Sequence, residues 1–231
     1  MKSYIIAHKT RVVQNVKKYY EPLGDFNYIF VGERVEPTIK EFNSRPAIVA
    51  RTLQNHIEGY KWLVSYTAWF ALVKNNLIED NEWYGIFEYD VRVSDDFLSK
   101  VTPFLKEGNM IGFIPFTIDH ILFAHGTKYL QKSLMNVYGI DVDTIVKKEL
   151  FLNRRLWNST TNCIILGKDM KEFTEWFFKL IPEFDENPNA AHVHERALRV
   201  WMSLKNINPV YVPNVLKHFQ MKSHKIEADI I

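Results

Sequence analysis

The segment Trp83-Tyr84-Gly85-Ile86-Phe87 runs apolar straight into Glu88-Tyr89-Asp90, and the polar turn residues Ser94, Asp95 and Asp96 follow shortly after. No other stretch limits the fold so strongly, because it reads as a buried strand that ends on acids. Side chains two apart on a strand share a face, so Glu88 and Asp90 point one way and Tyr89 the other. Two carboxylates delivered to one spot at a strand's carboxyl end suit a hard divalent cation.

The chain around it follows an alternating pattern. Ser3 to Ala7 is a short apolar run ending in His8-Lys9-Thr10, and Arg11 to Tyr20 reads as a helix. Pro22-Leu23-Gly24-Asp25 breaks that helix, and Phe26 to Val31 forms a second apolar run ending at Gly32-Glu33. Strand, helix and strand at this spacing resemble the opening of a parallel α/β sheet, whose loops at the carboxyl strand ends bind ligands. Neither GxGxxG nor GxxxxGK[ST] occurs, so the dinucleotide fingerprint and the P-loop are excluded. Leu53, Ile57, Tyr60, Val64, Thr67, Ala68 and Ala71 recur at spacings of three and four, which predicts a helix over 47–76. Further helices are expected over 95–105, 118–138, 141–150, 170–180 and 190–204, with short strands at 162–166 and 210–212. The 153–158 segment reads as a polar, aromatic loop. With no internal repeat, the expectation is one mixed α/β domain.

Composition narrows the function classes. The 231 residues are 47% hydrophobic and 14% aromatic, enough for a large core, and the formal net charge is +2. A balanced charge argues against bulk binding of nucleic acid, which needs a concentrated basic face. One cysteine, Cys163, allows no intrachain disulfide. The apolar run Trp62 to Val73 is too short to span a bilayer, which takes roughly 20 residues, and Met1 to Ala7 does not read as a signal peptide. A cytoplasmic protein is therefore expected, with peripheral membrane contact still open and the Asn158-Ser159-Thr160 sequon without consequence.

Four features in this order resemble a GT-A-type, nucleotide-sugar-dependent glycosyltransferase. They are the strand ending in Ala7-His8-Lys9-Thr10, and the acid-tipped strand Glu88-Tyr89-Asp90, similar to a DxD motif with Glu in place of its first Asp. Then come Ser159-Thr160-Thr161-Asn162 leading into Cys163-Ile164-Ile165-Leu166, with His194-Glu195-Arg196 beyond, and the late Leu216-Lys217-His218-Phe219. The resemblance spans almost the whole chain. It implies a single GT-A-like (Rossmann-like) α/β domain with a mixed, mostly parallel sheet flanked by helices. Residues 1–93 would form the nucleotide-binding part and 94–231 the acceptor-binding part.

The resemblance also implies roles. Asp90, Glu88 and His218 would hold Mn²⁺ or Mg²⁺, which stabilises the diphosphate leaving group of the donor. Ala7, His8, Lys9, Thr10, Arg11, Gly32, Glu33 and Tyr89 would line the donor, a UDP-sugar, with Lys217 and Lys222 adding charge near the diphosphate. Glu195 would take the acceptor hydroxyl's proton in an inverting reaction. Trp157, Asn162 and His194 would contact a glycan or lipid-linked acceptor, Trp157 by stacking on a sugar ring. The bland readings are an acid pair facing solvent, a Glu195–Arg199 surface ion pair at i, i+4, and a loop histidine at 218. His192, His194 and Glu195 do not have HExxH spacing, which disfavours zinc. Two alternatives stay open: a haloacid dehalogenase-type phosphohydrolase, echoed by Glu88-Tyr89-Asp90-Val91, and a non-catalytic nucleotide- or carbohydrate-binding module.

Overall fold

The computed structural model describes residues 1–218 apart from 15, 33–34, 61, 124–125, 159 and 184–189. Its centre is an eight-stranded sheet. In chain order the strands and helices are β1 (Lys2–Ala7), β2 (Phe26–Phe30), β3 (Glu41–Phe42), β4 (Arg45–Val49), α1 (Val64–Lys74), β5 (Trp83–Glu88), β6 (Val91–Val93), α2 (Phe97–Val101), β7 (Asn109–Gly112), β8 (Pro115–Thr117), α3 (Thr127–Tyr138), α4 (Val142–Phe151), β9 (Leu156–Asn158), β10 (Cys163–Leu166), α5 (Gly167–Phe178), α6 (Ala190–Lys205), β11 (Asn208–Tyr211) and β12 (Leu216–His218). The sheet order is β11-β7-β10-β5-β1-β2-β4-β3, and β6–β12 and β8–β9 form two small antiparallel pairs. β1 lies parallel to β2 and β5, and β2 to β4, whereas β10 runs antiparallel between β5 and β7. The sheet is thus mixed and mostly parallel. Because β5 bonds directly to β10, the parts before and after residue 93 share one sheet.

Strand alternation sends two apolar sets to opposite faces. Tyr4, Ile6, Ile29, Tyr84, Ile86, Cys163 and Ile165 pack into the core under α1, α3, α4, α5 and α6. Ile5, Ala7, Tyr28, Phe30, Phe87 and Ile164 pack into a second core with β6, α2 and the 10–23 segment. Both faces are covered, which is why β1, β2, β5 and β10 read as continuous apolar runs. Gly85 is required by a close approach: a Cβ there would stand 2.5 Å from the Phe87 ring and 2.9 Å from the Ser3 hydroxyl.

The structure corrects several sequence expectations. The 11–20 stretch is not a regular helix: two 3₁₀ turns, Thr10–Val12 and Lys17–Tyr19, fall on it and a third, Glu21–Leu23, follows. Val12, Val13 and Val16 are β-branched and buried, which favours short turns fitted to the sheet over a regular helix. Helix occupies only Val64–Lys74 of the 47–76 span. Ala47 and Val49 alternate inward on β4 instead, and Ile57 and Leu63 reach the core from a connecting segment. α1 is buried almost all round, as a helix apolar on every face must be. The 153–158 loop contains a strand, β9, paired with β8. Gly126, with φ 85°, starts α3 rather than interrupting a longer helix.

Candidate active site

β1, β2 and β5 run parallel, so their carboxyl ends meet at one edge of the sheet. A cleft opens there, lined by Ile6, Ala7, His8, Val31, Val64, Ser65, Glu88 and Tyr89. The His8 ring meets the Tyr89 ring edge-on, with centroids 4.8 Å apart. The Gly32 amide, at φ 88° just past β2, donates to the Glu58 carboxylate at 2.7 Å. Val64, the first residue of α1, carries a φ of 23°. That is costly for a β-branched residue, and such strain concentrates at functional sites.

Glu88 closes β5. Its backbone N–H donates to Oδ1 of Asn162 at 2.7 Å, and its carboxylate accepts from the Ser65 hydroxyl at 2.6 Å. Burial holds its pKa above the ordinary carboxylate value; Ser65 and Thr161 oppose that, while the charges of Asp90 and Glu195 add to it. Tyr89 and Asp90 form the turn into β6, and the Tyr20 hydroxyl donates to the Tyr89 carbonyl. Burial, then Asp90 and Glu88, push the Tyr89 phenol up to about 12.

β12 returns antiparallel beside β6 and pairs His218 with Val91, next to Asp90. His218 Nδ1 stands 3.6 Å from Oδ2 of Asp90. Pairing with Asp90 raises the imidazole pKa, burial opposes it, and Glu88 and Glu195 add to the rise. Glu195, near the start of α6, lies within electrostatic reach of Glu88 and His218, with Arg196 at 3.6 Å and His192 at 3.8 Å from its Oε2. Three carboxylates and one imidazole from three distant segments thus lie within electrostatic reach of one another.

In kind, this donor set fits a divalent cation. Asp90 Oδ1 is buried without a hydrogen-bond partner among the described residues, and carboxylate oxygens with an imidazole suit Mn²⁺ or Mg²⁺. Among the described residues no three His, Cys, Asp or Glu side chains converge closely enough to hold a metal ion.

Other expected contacts go elsewhere. Trp157 is fully buried, with the Arg196 guanidinium 5.5 Å from its ring, so it has no face for a sugar. His194 is buried among Tyr66, Trp69, Phe173 and Phe177, which closes it to an acceptor. Asn162 is buried too, and serves to hold the Glu88 amide. Arg199 forms no surface pair with Glu195; it is buried against Glu149. Asn158 of the sequon is buried, its Oδ1 accepting from the amides of Phe113 and Ile114 and its Nδ2 donating to the carbonyls of Thr160 and Asn162. Lys217 is exposed on β12. Glu33, Lys222 and the Arg11 side chain lie outside the described residues. Ser65 and Tyr20 escaped the sequence reading, since a serine within an apolar helix and a tyrosine in a turn announce no partner.

An acid-tipped central strand, a cleft at the parallel strand ends and one antiparallel strand at β10 belong to a GT-A-like α/β fold with a mixed, mostly parallel sheet flanked by helices. Among solved structures, the bifunctional glycosyltransferase WbbM, determined in its apo form, superposes with a TM-score of 0.63 at 11% identity, covering 95% of this chain and 45% of that one. The galactosyltransferase LgtC, solved in complex with donor and acceptor sugar analogs, gives a TM-score of 0.45 at 11% identity, covering 92% of this chain and 73% of that one. This chain therefore spans less than half of WbbM. No protein-family model matches the sequence, and no curated protein matches it.

Proposed function

We propose that this protein is a metal-dependent glycosyltransferase that moves a sugar from a nucleotide-sugar donor, a UDP-sugar, to a glycan or lipid-linked acceptor. One arrangement carries the reading: Glu88 lines the cleft at the carboxyl ends of β1, β2 and β5, Asp90 stands two residues on with His218 3.6 Å away, and Glu195 lies within electrostatic reach of Glu88 and His218. The fold shared with WbbM supports it. The phosphohydrolase alternative gains no support, because its nucleophile would be Glu88, a glutamate on a strand that does not open the domain.

Asp90, with its buried oxygen unpartnered among the described residues, and His218 beside it would hold the cation, with Glu88 two residues before Asp90 as the further candidate ligand. When bound, it neutralises the charge that grows on a diphosphate as the glycosidic bond breaks. The protein's own groups do the rest. Ala7, His8, Lys9, Thr10, Gly32 and Tyr89 border the donor's nucleoside, and Lys217 adds a positive charge beside the diphosphate. Glu195 accepts the proton of the attacking hydroxyl.

Thermal shift with UDP and GDP, each with and without Mn²⁺, tests the reading. UDP with Mn²⁺ is expected to raise the melting temperature, with stabilisation of about 2.7 kcal/mol once ligand reaches a hundred times its dissociation constant. If no nucleotide–metal pair stabilises the protein, the reading fails.

A further inference from the structure

Beyond β9 the molecule carries an apolar surface that nothing among the described residues covers. Phe123, just after the Ile118–Leu122 turn, is 82% exposed, and Phe151, in the last turn of α4, is 89% exposed. Leu150, Leu152, Leu156 and Phe116 are exposed as well. The backbone ties these positions into one region. The turn at Ile118–Leu122 packs against α4, the Ile118 amide donates to the Arg155 carbonyl at 2.7 Å, and Leu156 pairs with Thr117 across β8–β9.

The end of α4 is rigidly built. The Arg154 amide donates to the Glu149 carbonyl at 2.9 Å and the Asn153 amide to the Leu150 carbonyl at 3.1 Å. With Asn153 at φ 57°, this is a Schellman C-cap. Arg154 also pairs with the buried Glu149 at 3.1 Å. Phe151 is thus held exposed by a locked turn, and together with the exposed Phe123, Leu150, Leu152, Leu156 and Phe116 it forms the kind of apolar surface group that marks an interaction site.

Charge decides which partner. Asp143 is paired with Lys147, and Glu149 with Arg154 and Arg199, which leaves the exposed Lys148 and Arg155 without an ion-pair partner among the described residues. The exposed Asp119, on the turn before Phe123, also has no ion-pair partner among the described residues, so two cations against one carboxylate leave the charge bordering the phenyl rings positive. We propose that this face docks on an anionic lipid bilayer, with Phe123 and Phe151 entering the interface and Lys148 and Arg155 meeting the headgroups. A second copy of the chain fits less well, because a two-fold contact would bring the same cations together. A fluid interface also admits protruding rings without a complementary pocket. Among the described residues no helix is long and apolar enough to cross a membrane, so the contact is peripheral.

The test needs no nucleotide and stands apart from the transfer reaction. The full chain is sedimented with phosphatidylcholine vesicles, with and without phosphatidylglycerol. Binding to the anionic vesicles alone, weakened by salt, is expected. The Phe123→Ser/Phe151→Ser and Lys148→Glu/Arg155→Glu variants should each lower it about tenfold or more. Their melting temperatures should match the parent, because these side chains are already in water. No binding to anionic vesicles, or equal binding by parent and both variants, overturns the proposal. So does a dimer, seen by sedimentation equilibrium and broken by Phe123→Ser/Phe151→Ser, in a protein that ignores vesicles.

Discussion

At the residue scale, Asp90 and His194 show how burial gives two polar groups opposite uses. Asp90 keeps a buried oxygen unpaired beside His218, so Asp90→Asn should leave the bare melting temperature nearly unchanged. The same change should abolish the Mn²⁺-dependent shift with UDP and slow donor hydrolysis about 100-fold or more. His194 has no charge to offer: neither ring nitrogen has a hydrogen-bond partner among the described residues, and burial drives its pKa down to about 3. In the unfolded chain it titrates near 6.5. Below that pH the unfolded state binds the extra proton, so stability falls as pH drops from about 6.5 towards 3. Between pH 7 and pH 5 this amounts to about 2 kcal/mol. His194→Phe should remove that part of the slope, read from urea midpoints at the two pH values. Parallel slopes for the two proteins would show that the imidazole is not buried neutral.

At the scale of elements, the site depends on helices and strands held by buried polar groups. Glu149 of α4 is fully buried and pairs with Arg199 of α6 and with Arg154. Arg199 also donates to the Leu156 carbonyl of β9 at 3.2 Å and to the Ser203 hydroxyl. This cluster joins α4 and β9 to α6, the helix that carries Glu195. Glu149→Ala strands a buried guanidinium, so a loss of about 3–5 kcal/mol is expected in urea unfolding. A change under about 1 kcal/mol, the range of exposed pairs, would place the cluster in solvent. Asn162 acts similarly on β5, because its side chain holds the amide of Glu88.

At the scale of the molecule, one sheet unites both halves. β5 lies between β1 and β10, so its two edges depend on strands from opposite ends of the sequence. A fragment of residues 1–93 would expose the β5 edge and lose the helices α3 to α6 that cover one face. It should not fold alone, and the full chain should unfold in one transition by circular dichroism and by tryptophan fluorescence. Two separated transitions, or a folded 1–93 fragment by amide exchange, would count against a shared core.

Much of the fold and part of the site were legible in the sequence. The apolar runs of β1, β2, β5 and β10 and the acids Glu88 and Asp90 follow from strand periodicity and local composition, which the chain carries in any context. The meeting of His218 and Glu195 with those acids belongs to the tertiary structure, and the sequence pointed to it only through a family resemblance. The inward turns of Trp157, Asn162, His194 and Arg199 left no such signal. A side chain's burial depends on which distant element covers it, and residue spacing carries no record of that. Periodicity determined where the acids stand; packing across β10, α6 and β12 decided what stands around them.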